Sequence, residues 1–225
     1  LNLVMMDRDY ADEFELFCRQ NPRPCPLMAV VPAGDKTCSE FCNNLDLCTD
    51  LRSYDVYEYG KKVGSFPDVS NLFNDRMVSF LIGSSVSFDG LLEKKGFKAS
   101  YGPCIYLTSL TCEPVGDFQG KMAVTMRSYE SQVADQVAEF TAHFPNCHGG
   151  PLGKNNPQEL GIEDESDQLL SSPGWVPEGH DKLYWACGVT SAIVAQQAKL
   201  PLMIMHTPGN ALVTDISTNS LYKCM

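Results

Sequence analysis

Two apolar stretches near the C-terminus each run into a glycine-containing turn that carries reactive side chains. In the first, Leu183-Tyr184-Trp185-Ala186 leads into Cys187-Gly188-Val189-Thr190. Backbone N–H groups at a helix start there, with the Thr190 hydroxyl, would make an oxyanion site. The same residues equally suit a threonine cap beside a buried cysteine. In the second, Met203-Ile204-Met205 leads into His206-Thr207-Pro208-Gly209-Asn210. A histidine at the end of a strand can exchange protons near neutral pH. Asp215 ends the next apolar stretch and can orient that imidazole or cap a turn. Arg127 follows the apolar run 122–126 and can clamp a carboxylate with two parallel hydrogen bonds, or form a surface ion pair. His148, between Cys147 and Gly149, is a further acid–base candidate or a loop stabiliser.

The elements that must position these groups follow from periodicity. Residues 9–20 set Tyr10, Phe14, Phe17 and Cys18 on one helical face, and Asn21-Pro22-Arg23-Pro24 stops that helix. Residues 31–64 have no sustained period and read as loop with short strands. Asp68 as a cap predicts a helix carrying Leu72, Phe73, Met77 and Phe80 and ending at Gly83. Ser87 predicts a shorter helix closing at Gly96. Strands are expected over 105–110 and 122–126, then a helix over 129–144 with Val133, Val137, Phe140 and Phe144 on one face. A strand, a helix over 190–199, a strand, a turn and a last strand complete the chain.

Strands alternating with helices predict an α/β protein, a two-lobed mixed α/β fold. Its main α/β/α layered domain would comprise 1–100 and 168–225, with a smaller α+β lobe inserted at 101–167. Sites in layered α/β folds lie at the carboxyl ends of strands, where the groups above fall.

Composition narrows the partners. The chain has 225 residues and a formal net charge of −11, which offers no cationic face to nucleic-acid phosphates. No window approaches 18 apolar residues, so a membrane-spanning helix is excluded. Ten cysteines, with Cys38, Cys42 and Cys48 crowded into one polar segment, predict disulfides and a secreted setting. A zinc site there would lack both a C-x-x-C pair and a nearby histidine. The expectation is a small-molecule substrate or ligand, no metal, no cofactor, no membrane, and homo-oligomerisation as the one protein contact left open.

The chain resembles the D-glutamate cyclases and their bacterial hydro-lyase relatives. The resemblance runs from Asn2-Leu3-Val4 through Phe14-Glu15-Leu16-Phe17-Cys18-Arg19-Gln20-Asn21-Pro22 and Phe80-Leu81-Ile82-Gly83-Ser84-Ser85-Val86-Ser87-Phe88. It continues through Phe144-Pro145-Asn146-Cys147-His148-Gly149 to the two stretches above. It implies a two-lobed α/β fold and dehydration of D-glutamate to 5-oxo-D-proline, or a close variant on a small acidic amino acid. Mapped onto this chain, His206 and Asp215 suit proton transfer, Thr190 and Gly188 the oxyanion, and Arg127 the α-carboxylate. Cys187, Thr108, Ser85, His148 and Asn210 complete the expected substrate contacts. Asn210 stands where the family usually has a second histidine, and Leu107 and Ser109 replace a basic residue and an asparagine. The alternative expectation is a secreted, disulfide-stabilised, non-catalytic binding protein that uses the pocket for a small organic ligand such as a pigment.

Overall fold

Period-two alternation sorts the strands between two apolar cores. In the computed structural model, which describes residues 1–224, β1 (Asn2–Asp7) turns Val4 and Met6 to one core and Leu3 and Met5 to the other. β5 (Met77–Ile82) and β10 (Met203–His206) alternate in step with it, because Val4 lies opposite Phe80 on one side and Met205 on the other. With β2 (Leu27–Val31), β3 (Tyr54–Glu58) and β4 (Lys61–Phe66), they form a six-stranded sheet in the order β2-β5-β1-β10-β3-β4. Helix α1 (Arg8–Gln20) packs Phe14 and Phe17 on one face. Its start is capped by the Asp7 carboxylate, which accepts from the Asp9 N–H at 2.9 Å. The opposite face is covered by irregular chain that brings in Phe41, Leu45, Leu47 and Leu51.

A second sheet, ordered β6-β7-β9-β8, is built from β6 (Tyr101–Thr111), β7 (Lys121–Glu130), β8 (Gly153–Lys154) and β9 (His180–Ala186). It therefore takes β9 from beyond the 101–167 segment. Helix α2 (Val86–Lys94) buries Phe88 and Leu92 with Trp185 and Tyr129, and α3 (Ser131–Ala142) lays Val137 on the same cluster. Helix α4 (Val189–Gln197) joins the lobes. Its Ala192, Val194 and Ala195 belong to the first sheet's core, while Val189 and Ile193 pack against Ile105 and Ala123 of the second. The result is a two-lobed fold of mixed helix and sheet.

Three expectations are corrected. The helix expected to run from Asp68 to Gly83 is instead a turn followed by β5. Every residue of Met77–Ile82 is buried between β2 and β1, so tertiary burial on both faces overrides a helical pattern. All strand pairs are antiparallel, so the site does not follow the strand-end rule of parallel sheets. The strand expected before Asp215 is absent, and 207–217 is irregular.

The disulfides are also absent. All ten cysteines are free thiols, seven of them buried. They are dispersed through all five apolar clusters, for example Cys18, Cys25 and Cys112 beneath the first sheet and Cys104 under the second. There they act as small apolar side chains. No helix among the described residues is long and apolar enough to cross a membrane.

Candidate functional site

A cavity of about 580 Å³ opens where the two sheets, the starts of α2 and α4, and the irregular segment after β10 converge. Alternation along β7 explains its polar corner. Ala123, Thr125 and Arg127 share one face of that strand, and the last two reach the cavity. Ser84 and Ser85 arrive from the start of α2, His148 from the loop after α3, and Cys187 and Gly188 from the start of α4.

Arg127 is 2% exposed. Its Nη2 donates to Ser85 Oγ at 3.2 Å and to Asp89 Oδ2 at 3.0 Å. The guanidinium carbon lies 5.7 Å from the ring centroids of both Phe88 and Trp185, so aromatic faces support the charge where water cannot. Ser85 and Asp89 lie one helical turn apart, which is why α2 can hold the same nitrogen with both. The other amino nitrogen, Nη1, is buried without a protein partner. A buried charged donor left unpaired costs about 1–3 kcal/mol or more, so any small shift that lets it meet an anionic acceptor is favourable. Burial raises the pKa of Asp89, and Arg127 opposes that rise.

Two histidines line the same cavity. His148 is 1% exposed and has a left-handed φ of 75°. Its Nδ1 lies 2.8 Å from the Arg23 carbonyl. A carbonyl only accepts, so Nδ1 carries the proton and the neutral ring keeps a lone pair on Nε2. Burial lowers this histidine to about 4, with the Arg23 carbonyl opposing and the Arg127 charge adding to the drop. His206 Nδ1 lies 3.2 Å from the Leu3 N and 3.4 Å from the Leu3 carbonyl oxygen. Burial takes its pKa to about 4 as well. At neutral pH both imidazoles are uncharged.

The ten sequence candidates divide sharply. Arg127, Ser85, His148, Cys187, Gly188 and His206 all line the cavity. Thr190, Thr108, Asp215 and Asn210 do not. The buried Thr190 hydroxyl donates to the Cys187 carbonyl at 2.7 Å and accepts from the Ala123 N–H at 2.9 Å, so it stitches α4 to β7. Thr108 Oγ1 donates to the Met122 carbonyl at 2.7 Å within the second sheet. Asp215 is exposed and accepts from the Asn43 N–H at 3.0 Å, pinning a loop instead of an imidazole. Asn210 lines a separate, smaller pocket with Asp50 and Arg52. Cys187 is buried, which raises its pKa, and a protonated thiol there is a wall, not a nucleophile.

Asp55, which sequence reasoning passed over, does what was expected of Asp215. Its carboxylate takes Thr207 Oγ1 at 2.6 Å, Lys62 Nζ at 2.6 Å and Ser65 Oγ at 2.7 Å, fastening the turn that follows His206. Burial alone would raise its pKa, but these partners outweigh it and hold the group below the usual carboxylate range. Asp89, Asn2, Ser84 and Thr125 were also missed. The signal for Thr125 was its period-two relation to Arg127, and for Asp89 its four-residue step from Ser85. Among the described residues no group of three or more His, Cys, Asp and Glu side chains gathers as metal ligands do.

Comparison with known proteins identifies the family. The D-glutamate cyclase family profile matches residues 78–215. That range contains Arg127, His148, Cys187 and His206. A "putative hydro-lyase" from Staphylococcus carnosus is 36% identical, covering 98% of this chain and 86% of its own. "Putative hydro-lyase YcsI" of Bacillus subtilis is also 36% identical, over 98% of this chain and 88% of its own. A third such protein, from Corynebacterium urealyticum, is 37% identical over 95% and 83%. The chain belongs to the D-glutamate cyclase family.

Proposed function

We propose that the cavity is the active site of a dehydrating lyase for a small amino acid, with D-glutamate to 5-oxo-D-proline and water as the reaction. The observation that carries this reading is Arg127, a buried cation whose Nη1 lacks a protein partner beside the cavity. It is suited to hold the α-carboxylate. The α-nitrogen must then attack the γ-carboxyl carbon. A C–N bond forms, a C–O bond breaks, and the two protons the ammonium gives up leave with that oxygen as water.

His148 takes the role of base, because it lines the cavity and burial keeps its ring uncharged at neutral pH. His206 lines the same cavity and in its Nε2–H tautomer supplies a donor for the tetrahedral oxyanion. The proton transfer expected of His206 and Asp215 thus passes to His148, and the oxyanion role expected of Thr190 passes to His206. Gly188 keeps its place: a side chain there would strike Asn2, so the small residue lets the start of α4 approach the cavity.

A second reading is favoured by the many aliphatic side chains around the cavity. The pocket would then hold a small organic ligand without turning it over, though without the disulfide brace once expected of it. Incubation with D-glutamate and chiral chromatography of the product decides between them. Formation of 5-oxo-D-proline that Arg127→Gln abolishes supports the lyase. A yield equal to the spontaneous background sinks the lyase and leaves the binding pocket.

A further inference from the structure

A cavity that cyclises an amino acid, as proposed above, must hold the substrate's amine as well as its carboxylates. None of the residues lining it is an aspartate or glutamate. An amine that enters therefore meets neutral acceptors only. That suits the chemistry, because a carboxylate partner would keep the nitrogen as ammonium, with no lone pair to attack a carboxyl carbon. A neutral oxygen accepts one N–H and still lets a proton go.

One such oxygen is fixed in place. Asn2, at the start of β1, lies opposite Ile82 at the end of β5. It is buried and lines the cavity. Its Nδ2 donates to the Gly83 carbonyl at 3.0 Å. A carbonyl only accepts, so this bond settles which end of the carboxamide is nitrogen and turns Oδ1 away from Gly83. Gly188 packs on the nitrogen end too, where an added Cβ would come within 2.0 Å of Nδ2. Among the described residues nothing donates to Oδ1, and this unpaired oxygen is not shut away from solvent. In a side chain packed against Gly83 and Gly188, the space it reaches is the cavity. The Ser84 and Thr125 hydroxyls on the same wall rotate and can donate, whereas an amide oxygen only accepts.

Resting on the proposed function, we infer that Asn2 Oδ1 is the acceptor for the substrate's amine. It binds the N–H that stays on nitrogen in the lactam and so aims the lone pair, while His148 takes a proton that leaves.

Steady-state formation of 5-oxo-D-proline by the full chain, with glutarate as competitive inhibitor, tests this. Glutarate is D-glutamate without the amine. Asn2→Ala should cut kcat/KM for D-glutamate roughly tenfold or more, as one lost hydrogen bond to a charged group does, and leave the inhibition constant of glutarate within about twofold. Asn2→Asp should keep substrate affinity but move the rising limb of kcat to higher pH, because its carboxylate holds the ammonium protonated. A residue that merely shapes the wall gives neither result. Equal losses for D-glutamate and glutarate in Asn2→Ala, or an unmoved pH profile in Asn2→Asp, would overturn the inference and leave the lyase standing. Absence of product from the native chain would instead sink the proposed function. Calorimetry with the same two ligands, then undisturbed by turnover, still reads the amine contact. A preference for D-glutamate that Asn2→Ala abolishes would uphold the contact, and equal affinities in the native chain would overturn it as well.

Discussion

Arg127 and Asp89 are joined through one nitrogen and one oxygen, Nη2 to Oδ2 at 3.0 Å, while Nη1 and Oδ1 are each buried without a partner. A facing arginine–carboxylate pair readily makes two parallel bonds, and this one does not. The carboxylate therefore orients the guanidinium without using it up. Phe88 and Trp185 flank the same group, each ring centroid 5.7 Å from its central carbon, which leaves Nη1 as the nitrogen without a protein partner.

Arg127→Gln should lower affinity for any carboxylate ligand by roughly 10- to 100-fold, since a hydrogen bond to a charged group is worth about 1.5–3 kcal/mol. Binding of an uncharged analogue should change little. Titration of an acid and its amide against both proteins measures the difference, and equal losses for the two would show that the variant had merely collapsed the pocket.

Acid should destabilise the fold through His148. The folded ring has its pKa lowered to about 4 from 6.5, so the native state prefers the neutral form. Its contribution is complete above about 6.5 and is lost as pH falls from there toward 4. At about 1.4 kcal/mol per pKa unit the loss approaches roughly 3 kcal/mol. Denaturant unfolding at pH 7 and pH 4 should show a smaller drop for His148→Gln than for the native sequence. A drop of the same size in both would assign the acid sensitivity elsewhere.

Thr190→Val should cost about 1–3 kcal/mol of stability, because it strands the buried Ala123 N–H, while the Cys187 carbonyl keeps the Thr190 backbone N–H at 3.0 Å. Thr190→Ser should recover most of it. With the hydroxyl engaged on both sides by backbone, turnover per folded molecule should stay within a few-fold of normal. A loss of kcat by orders of magnitude in a fully folded Thr190→Val protein would restore this side chain to the chemistry.

Thiol counting without reductant should find ten reactive groups after denaturation, as all the cysteines are free. In the native protein the exposed Cys224 should react first, then the half-buried Cys38 and Cys42, with the seven buried thiols protected. Mass spectrometry after alkylation reads both numbers, and fewer than ten labels on the denatured chain would mean cross-links.

Much of this molecule could be read from local pattern. The spacing of Phe14 and Phe17, of Val133 and Val137, and the turn chemistry after Ala186 located α1, α3 and α4 within a few residues, because α1 and α3 each bury one stripe against a sheet and α4 begins at a glycine-containing turn. Met77–Ile82 defeated the same reasoning, since a strand buried on both faces has no period to detect. Arg127 and His148 were identified as candidates from residue type, yet their roles depend on groups far along the chain, Asp89 and the Arg23 carbonyl. Asp215 and Thr190 looked equally suitable in sequence. What separates them is which backbone group each hydroxyl or carboxylate meets, and that is decided by tertiary packing.

The pairing of β1 with β10, Val4 opposite Met205, also bears on how the molecule comes into being. These two strands lie side by side in the middle of the first sheet but are separated by nearly the whole chain. Closing so long a loop is slow. During synthesis β1 emerges well before β10 and must wait, with β5 on one side and an open edge on the other, until the segment ending at His206 leaves the ribosome. Asn2, Met205 and His206 reach the cavity wall only when that last strand inserts. The cavity wall is therefore completed late in folding, and until then an unpaired apolar strand edge stands exposed to other chains.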